Sequence, residues 1–232
     1  MTDSSLPGPV LGLSAAGPSA VGLTVPGQAD RRLVHDHPRA HVESMIPLVE
    51  RLLAEARLRP ADLAAIAVGA GPAPHPRRRN APATARALGF ALSRPVWGVS
   101  DLDVLAADAA RRLSLQAGVS VLAVLDAKRR EVYWARYRVD AADRIDGLTR
   151  LEGPVVGPPG AVAAASIIVG AGAEMYADQI GPVVGEGIGV DPALLARLAA
   201  LRAQSGADVS WRPLYLRRPD VAAPAASKRA TP

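Results

Sequence analysis

In 232 residues the chain carries 21 glycines and 21 prolines but only 3 Trp, 4 Tyr and 1 Phe, a density of chain punctuation that excludes a coiled coil. Hydrophobic residues make up 49% and charged residues 21%, which excludes disorder throughout, and zero Cys excludes a disulfide framework, a thiolate metal site and a cysteine nucleophile. The net charge of +5 is local: Arg77, Arg78, Arg79, Arg86 and Arg94 stand between residues 74 and 100 without an acidic neighbour, and the remainder of the chain balances, which excludes a generally basic surface.

Val10 to Leu13, Ala20 to Val25 and a run around Leu33 and Val34 are short apolar stretches separated by Gly-Pro turns, so the pattern predicts a strand meander opening an antiparallel sheet. From Ser44 to Arg57 the apolar positions Met45, Leu48, Val49, Leu52, Leu53 and Ala56 recur at helical spacing, with Pro47 acceptable only in the first turn. Residues 64–71 (AAIAVGAG) read as a buried strand running into glycine, and Ala83 to Leu92 as an alanine-rich helix. After Pro95 a strand VWGVS leads into a helix from Asp101, whose carboxylate is placed to cap the first turn. Residues 119–127 and 131–139 form a hairpin pattern joined by Lys128, Arg129 and Arg130. Residues 141–166 read as turn-rich, 167–172 (IIVGAG) as a short strand, 192–203 as a helix capped by Asp191, and 221–232 as a frayed tail. Two sheet-plus-helix halves result, with lobes expected at 1–100 and 101–220, the second smaller and holding the C-terminal helix.

No stretch approaches the ~18 apolar residues of a membrane helix, and MTDSSLPGPV lacks the basic start and apolar block of a secretory signal, so a cytoplasmic protein is expected. His35, His37 and His41 are spaced as a candidate metal cluster, but Pro38 interrupts it and strand-to-loop neighbours normally point apart. Ser14 and Ser100 follow apolar strands without a nucleophile elbow, and Gly69-Ala-Gly71-Pro72 lacks the Lys-Ser/Thr of a phosphate-binding loop. Asp126, at a strand end beside Lys128, Arg129 and Arg130, either orders the turn or meets a ligand. The arginine cluster reads as a solvated loop or as a phosphate contact. The residues themselves therefore reach an α/β protein without a complete active site.

Seven segments in order resemble the bacterial TsaB (YeaZ) family: His41-Val-Glu-Ser-Met-Ile-Pro47, residues 61–72, Thr84-Ala-Arg-Ala-Leu-Gly89, Val99-Ser-Asp-Leu-Asp-Val-Leu105, residues 126–133, Gly170-Ala-Gly-Ala-Glu-Met-Tyr176 and Pro213-Leu-Tyr-Leu-Arg217. The resemblance implies an actin-like ATPase fold, with two ribonuclease-H-like lobes, each a mixed sheet flanked by helices, sharing a cleft. It also implies a non-catalytic, cytoplasmic scaffold without catalytic residues, cofactor or metal, which binds TsaD for threonylcarbamoyl transfer to tRNA adenosine. The partners so implied are a TsaD-like protein, a second copy of the chain in its absence, an ATPase as a possible third subunit, and tRNA only through the complex. Docking is expected through the first two helices, at Met45, Leu48, Val49 and Leu52 and at Ala83, Ala87 and Ala91, where apolar and small side chains allow close approach. The alternatives are that both helices only cover their own sheet, and that the chain is an actin-like small-molecule kinase with its own ATP site.

Two departures bear on these expectations. Leu13-Ser14-Ala15 stands where the family usually has Asp-Thr after the first strand, which weakens the kinase reading. Pro74-His-Pro-Arg-Arg-Arg-Asn-Ala-Pro82 replaces the usual Phe-Thr-Gly-Leu-Arg-Val-Gly and supplies much of the arginine cluster, which discounts that cluster as a sign of tRNA contact.

Overall fold

A computed structural model describes residues 6–35, 45–72, 80–141, 144–162 and 165–217. His37, His41, Arg77 to Arg79, the substituted block up to residue 79 and the tail lie outside the described residues, so the histidine cluster and most of the arginine cluster have no structural account here.

The apolar meander at the start of the chain forms β1 (Val10–Ser14), β2 (Ala20–Thr24) and β3 (Arg31–Val34). After α1 (Met45–Ala56) come β4 (Ala65–Gly69), α2 (Asn80–Leu92) and β5 (Val96–Val99), giving a five-stranded sheet in the order β3-β2-β1-β4-β5. β1 pairs antiparallel with β2 and parallel with β4. α3 (Asp101–Arg112) then leads to β6 (Ser120–Lys128), β7 (Glu131–Val139), β8 (Leu148–Gly157) and β9 (Ile167–Val169), ordered β8-β7-β6-β9. β6 again pairs antiparallel with the strand after it and parallel with β9, so the second sheet repeats the wiring of the first. Two short helices, α4 (Ala171–Met175) and α5 (Ala177–Ile180), precede α6 (Pro192–Gln204).

The two sheets exchange helices. Leu11, Leu13, Val21, Leu23, Ile66 and Val68 point from one face of the first sheet into a core shared with α1 and α2. Val10, Ala65 and Ala67 point from the other face, and the helix that covers them is α6, from the far end of the chain. α3, which follows the first sheet, instead packs its Leu102, Leu105 and Ala109 on the second sheet against Val121, Ala123, Tyr133 and Ala135. The expected grouping of the C-terminal helix with the second lobe is corrected: α6 is apolar along nearly its whole length because it is sandwiched between the first sheet and α3.

Glycine makes that sandwich possible. Gly12 and Gly22 are register partners in β1 and β2 and face the start of α6. A Cβ on Gly12 would lie 1.9 Å from the Pro192 carbonyl oxygen, and one on Gly22 would lie 2.3 Å from the Ala193 nitrogen. The helix backbone rests directly on the sheet backbone there.

Three further differences have local causes. β8 occupies 148–157, where a turn-rich stretch was expected, because as an edge strand it has Thr149, Arg150, Leu151 and Glu152 exposed and accommodates Pro154, so it shows no inside–outside alternation. The expected strand over 167–172 ends at Val169, where Gly170 at φ 106° turns the chain into α4. α2 begins three residues before Ala83, with Pro82 inside its first turn.

Gly12→Ala should lower the free energy of unfolding by about 3 kcal/mol or more, since the obstructing atom is backbone that cannot step aside. Gly17→Ala, whose added methyl would meet nothing within 4 Å, should be close to neutral. Urea denaturation of the two variants checks the contrast.

Candidate docking face and interlobe cleft

The expected docking residues divide into two groups. Met45, Val49 and Leu52 are almost wholly buried beneath α1 against the first sheet, so their assignment to an external interface is corrected: a helix on an apolar sheet spends its strongest stripe on its own core. Leu48 is half-buried at the margin of that stripe. Ala83, Ala87 and Ala91 are exposed on the outer face of α2. On the same face, three residues beyond Ala87, stands Phe90, the single phenylalanine of the chain, with 89% of its surface exposed. α1 adds Ile46 at 38% exposure. Sequence reading missed Phe90, although its spacing from Ala83, Ala87 and Ala91 puts it on one helical stripe.

A late segment packs beneath α2 and against the first sheet. The Gly98 amide donates to the Val209 carbonyl at 2.7 Å and the Leu214 amide to the Ala70 carbonyl at 2.9 Å. Trp211 thereby packs into the core under α2, and the Arg86 guanidinium lies 5.3 Å from its ring centre. Arg217 continues to an ion pair with Glu131 of β7. The segment from Val209 to Arg217 thus joins α2 and the first sheet to the second.

A cleft of about 400 Å³ opens between the halves, lined by Ser14 at the end of β1, Ala16 and Gly17 of the β1–β2 turn, Leu125 of β6, Ala171 of α4, and Gly187 and Gly189. The carboxylate bordering it, Asp191, is engaged: it accepts from the Ala193 and Leu194 amides at 2.8 and 3.2 Å, as expected for the α6 cap, and from Arg32 at 2.8 Å. Asp126 orders its turn, accepting from the Lys128 amide at 2.8 Å and pairing with the Lys128 ammonium at 2.5 Å. That turn holds Lys128, Arg129 and Arg130 all at φ near +60°. Among the described residues no group of three or more His, Asp or Glu side chains is arranged to hold a metal ion, and no helix is long and apolar enough to cross a membrane.

The start of α3 holds two buried carboxylates in opposite surroundings. Asp103 accepts from the Tyr137 hydroxyl and from Arg150 and Arg202, each at 2.6 Å, tying α3, β7, β8 and α6 together. Burial by itself pushes its carboxyl up, but the two guanidiniums and the phenol outweigh burial and hold it below the usual carboxylate range. Burial and the adjoining carboxylate keep Tyr137 protonated as the donor. Asp101 was expected to cap the helix; the cap position is Ser100, with no side-chain bond, and Asp101 is buried with its Oδ1 unpartnered. Gly69 leaves the space that carboxylate fills, since a Cβ there would lie 2.2 Å from Oδ1. Burial pushes Asp101 up to about 7, with the Gly71 amide pulling against it and the Asp103 charge adding to it.

Duplicated mixed sheets, exchanged helices and a cleft between them define an actin-like, ribonuclease-H-like α/β protein. The family model described as TsaD, tRNA N6-adenosine threonylcarbamoyltransferase, matches residues 35–165. Among solved structures, YeaZ from Pseudomonas aeruginosa has a TM-score of 0.77 at 28% identity, covering 90% of this chain and all of that one. An uncharacterized protein of Mycobacterium tuberculosis is 38% identical over 184 residues, 78% of this chain and 77% of the relative. A second, from Mycobacterium leprae, is 40% identical over 182 residues, and there the match spans only 46% of the relative's length. The tRNA threonylcarbamoyladenosine biosynthesis protein TsaB of Escherichia coli is 34% identical over 103 residues, 44% of this chain and 43% of TsaB. The chain belongs to the TsaB/YeaZ family.

The two carboxylates give opposite pH behaviour. Asp103, with its folded pKa depressed, contributes stability that is present above pH ~4 and lost as the pH falls through the folded value. Asp101, raised from 3.8 to about 7, works the other way: the folded state is favoured below pH ~4 and loses stability as the pH rises toward 7. Asp101→Asn should therefore gain on the natural chain between pH 4 and pH 8, by at most about 4 kcal/mol. Asp103→Ala, which strands Arg150 and Arg202, should cost about 3–5 kcal/mol at pH 7. Melting temperatures across pH check both.

Proposed function

We propose that this chain is a non-catalytic scaffold of tRNA threonylcarbamoyladenosine synthesis, docking a TsaD-like transferase through the outer face of α2 and the adjoining edge of α1. The observation that carries the reading is Phe90, an aromatic side chain 89% exposed beside the small residues Ala83, Ala87 and Ala91. Large aromatics anchor interfaces when a partner desolvates them, and alanines on either side let a second helix approach closely. Ile46 and Leu48 extend the face. In the absence of the transferase the same face pairs with a second copy of the chain, and the scaffold meets tRNA together with the transferase, in the cytoplasm.

Support for a non-catalytic role comes from the cleft. Ser14 ends β1 and Ala16 follows in the turn, and the Asp191 carboxylate is committed to the α6 amides and Arg32. A stand-alone kinase needs a carboxylate there for magnesium and water, so ATP turnover by the purified chain above a blank would overturn this reading.

Phe90→Glu and Ala87→Glu should each weaken capture of the cognate TsaD-like protein by tenfold or more while leaving the melting temperature within a degree or two, because both positions face solvent in the isolated chain. Met45→Glu should instead unfold the protein, since the carboxylate would enter the core of the first sheet. Pull-down and light scattering decide: normal capture by both α2 variants removes the docking face.

A further inference from the structure

On the side of the first sheet opposite α1 and α2, a second cleft of about 520 Å³ runs between β3, α3, α6 and residues 141 and 144–148. Five arginines line it, Arg31, Arg32, Arg111, Arg144 and Arg197, from four separate stretches of chain. Among the described residues, the acidic ones lining it are Asp30 and Asp191. The guanidiniums are already oriented: the Arg197 Nε donates to both oxygens of Asp30 at 2.8 and 3.1 Å, Arg32 meets Asp191 at 2.8 Å, Arg144 forks onto Asp146 at 2.7 and 3.0 Å, and Arg111 meets Asp108 at 2.8 Å. Asp108 is shared with Arg112 at 2.7 Å, so one carboxylate serves two cations. Arg31 is held at 3.0 Å by the neutral amide oxygen of Gln28. Positive charge is in surplus along the cleft.

The side chains of Arg32, Arg111 and Arg144 are 55%, 54% and 61% exposed. Their carboxylate partners Asp191, Asp108 and Asp146 are only 10%, 0% and 27% exposed, so these pairs stay made, and an anion shares the outward N–H groups of the guanidiniums without displacing them. Among the described residues the lining includes no aromatic side chain that would stack on a base. Arg32 and Asp191 belong also to the interlobe cleft, which adds Arg112 at its wall, so the two clefts abut and the row of arginines continues from one to the other. A row of cations along a joined groove suits a linear polyanion better than a single phosphate.

We propose that this arginine-lined groove binds the phosphate backbone of an RNA strand. It lies across the first sheet from the proposed docking face, so a scaffold engaged through α2 keeps the groove open. The choice of RNA among polyanions rests on the reading of the chain as part of a tRNA-modifying assembly; the phosphate chemistry does not.

The test uses the full chain without any partner. Fluorescence anisotropy with a short labelled single-stranded RNA follows binding from low to moderate salt, in parallel with titrations of ATP and of pyrophosphate. The expected result is binding that weakens steeply with salt. In the double variant Arg31→Ala/Arg144→Ala affinity should fall at least tenfold and the salt slope should flatten by about 0.7 per lost contact, with an unchanged melting temperature. Phe90→Glu serves as the control and should bind RNA as the natural chain does, which separates failure of the groove from failure of the docking face. Equal RNA binding by the double variant and the natural chain overturns the groove. Binding of ATP or pyrophosphate, abolished in the double variant, without RNA binding overturns the strand and assigns a free phosphate compound.

Discussion

Two missing side chains hold the architecture in place. Gly12 and Gly22 sit opposite each other in β1 and β2, and the first turn of α6 occupies the volume their Cβ atoms would need. Because α6 lies that close, its Leu194, Leu195, Leu198 and Ala199 reach the Val10, Ala65 and Ala67 face of the first sheet, and α3 can pack beside it while covering the second. The relation between the halves, and with it the shape of both clefts, follows from this contact of backbone on backbone.

A buried ion network reinforces it. Asp103 of α3 receives Tyr137 and Arg150 from the second sheet and Arg202 from α6, so a single carboxylate joins elements of both halves. Such a network is costly to bury, and its value lies in geometry: the three donors converge on two oxygens only when α3 and α6 are in register. The Asp191 cap contributes at the other end of α6, where Arg32 and the first-turn amides share one carboxylate. α6 is thus tied to the first sheet at its start and, through Asp103, to the second half at its end.

Much of the fold was legible because its buried strands are continuous apolar runs, as in AIAVG at 65–69 and VLAVL at 121–125. β8 was not legible, since an edge strand with Arg150, Leu151 and Glu152 exposed has no alternation to read. The face of α1 that meets the core was misread for a related reason: Met45, Val49 and Leu52 announce apolar burial, but periodicity does not say whether the burying surface is the chain's own sheet or a partner. Phe90 shows where the distinction becomes visible, as a large side chain that the folded chain leaves in water. The polar network around Asp103 joins residues 34 to 99 positions apart and left no mark in local sequence.

The exchange of α3 and α6 also has a consequence in time. The strands of the first sheet are complete once β5 has been made, yet one face of that sheet stays uncovered until residues 192–204 emerge from the ribosome. At synthesis rates of roughly 5–20 residues per second, that face waits several seconds or more, with Val10, Ala65, Ala67 and Val99 open to other nascent chains. Alanine and glycine in place of larger apolar residues make this a thin, weakly adhesive surface, and the same thinness is what lets the late helix settle so near the strands.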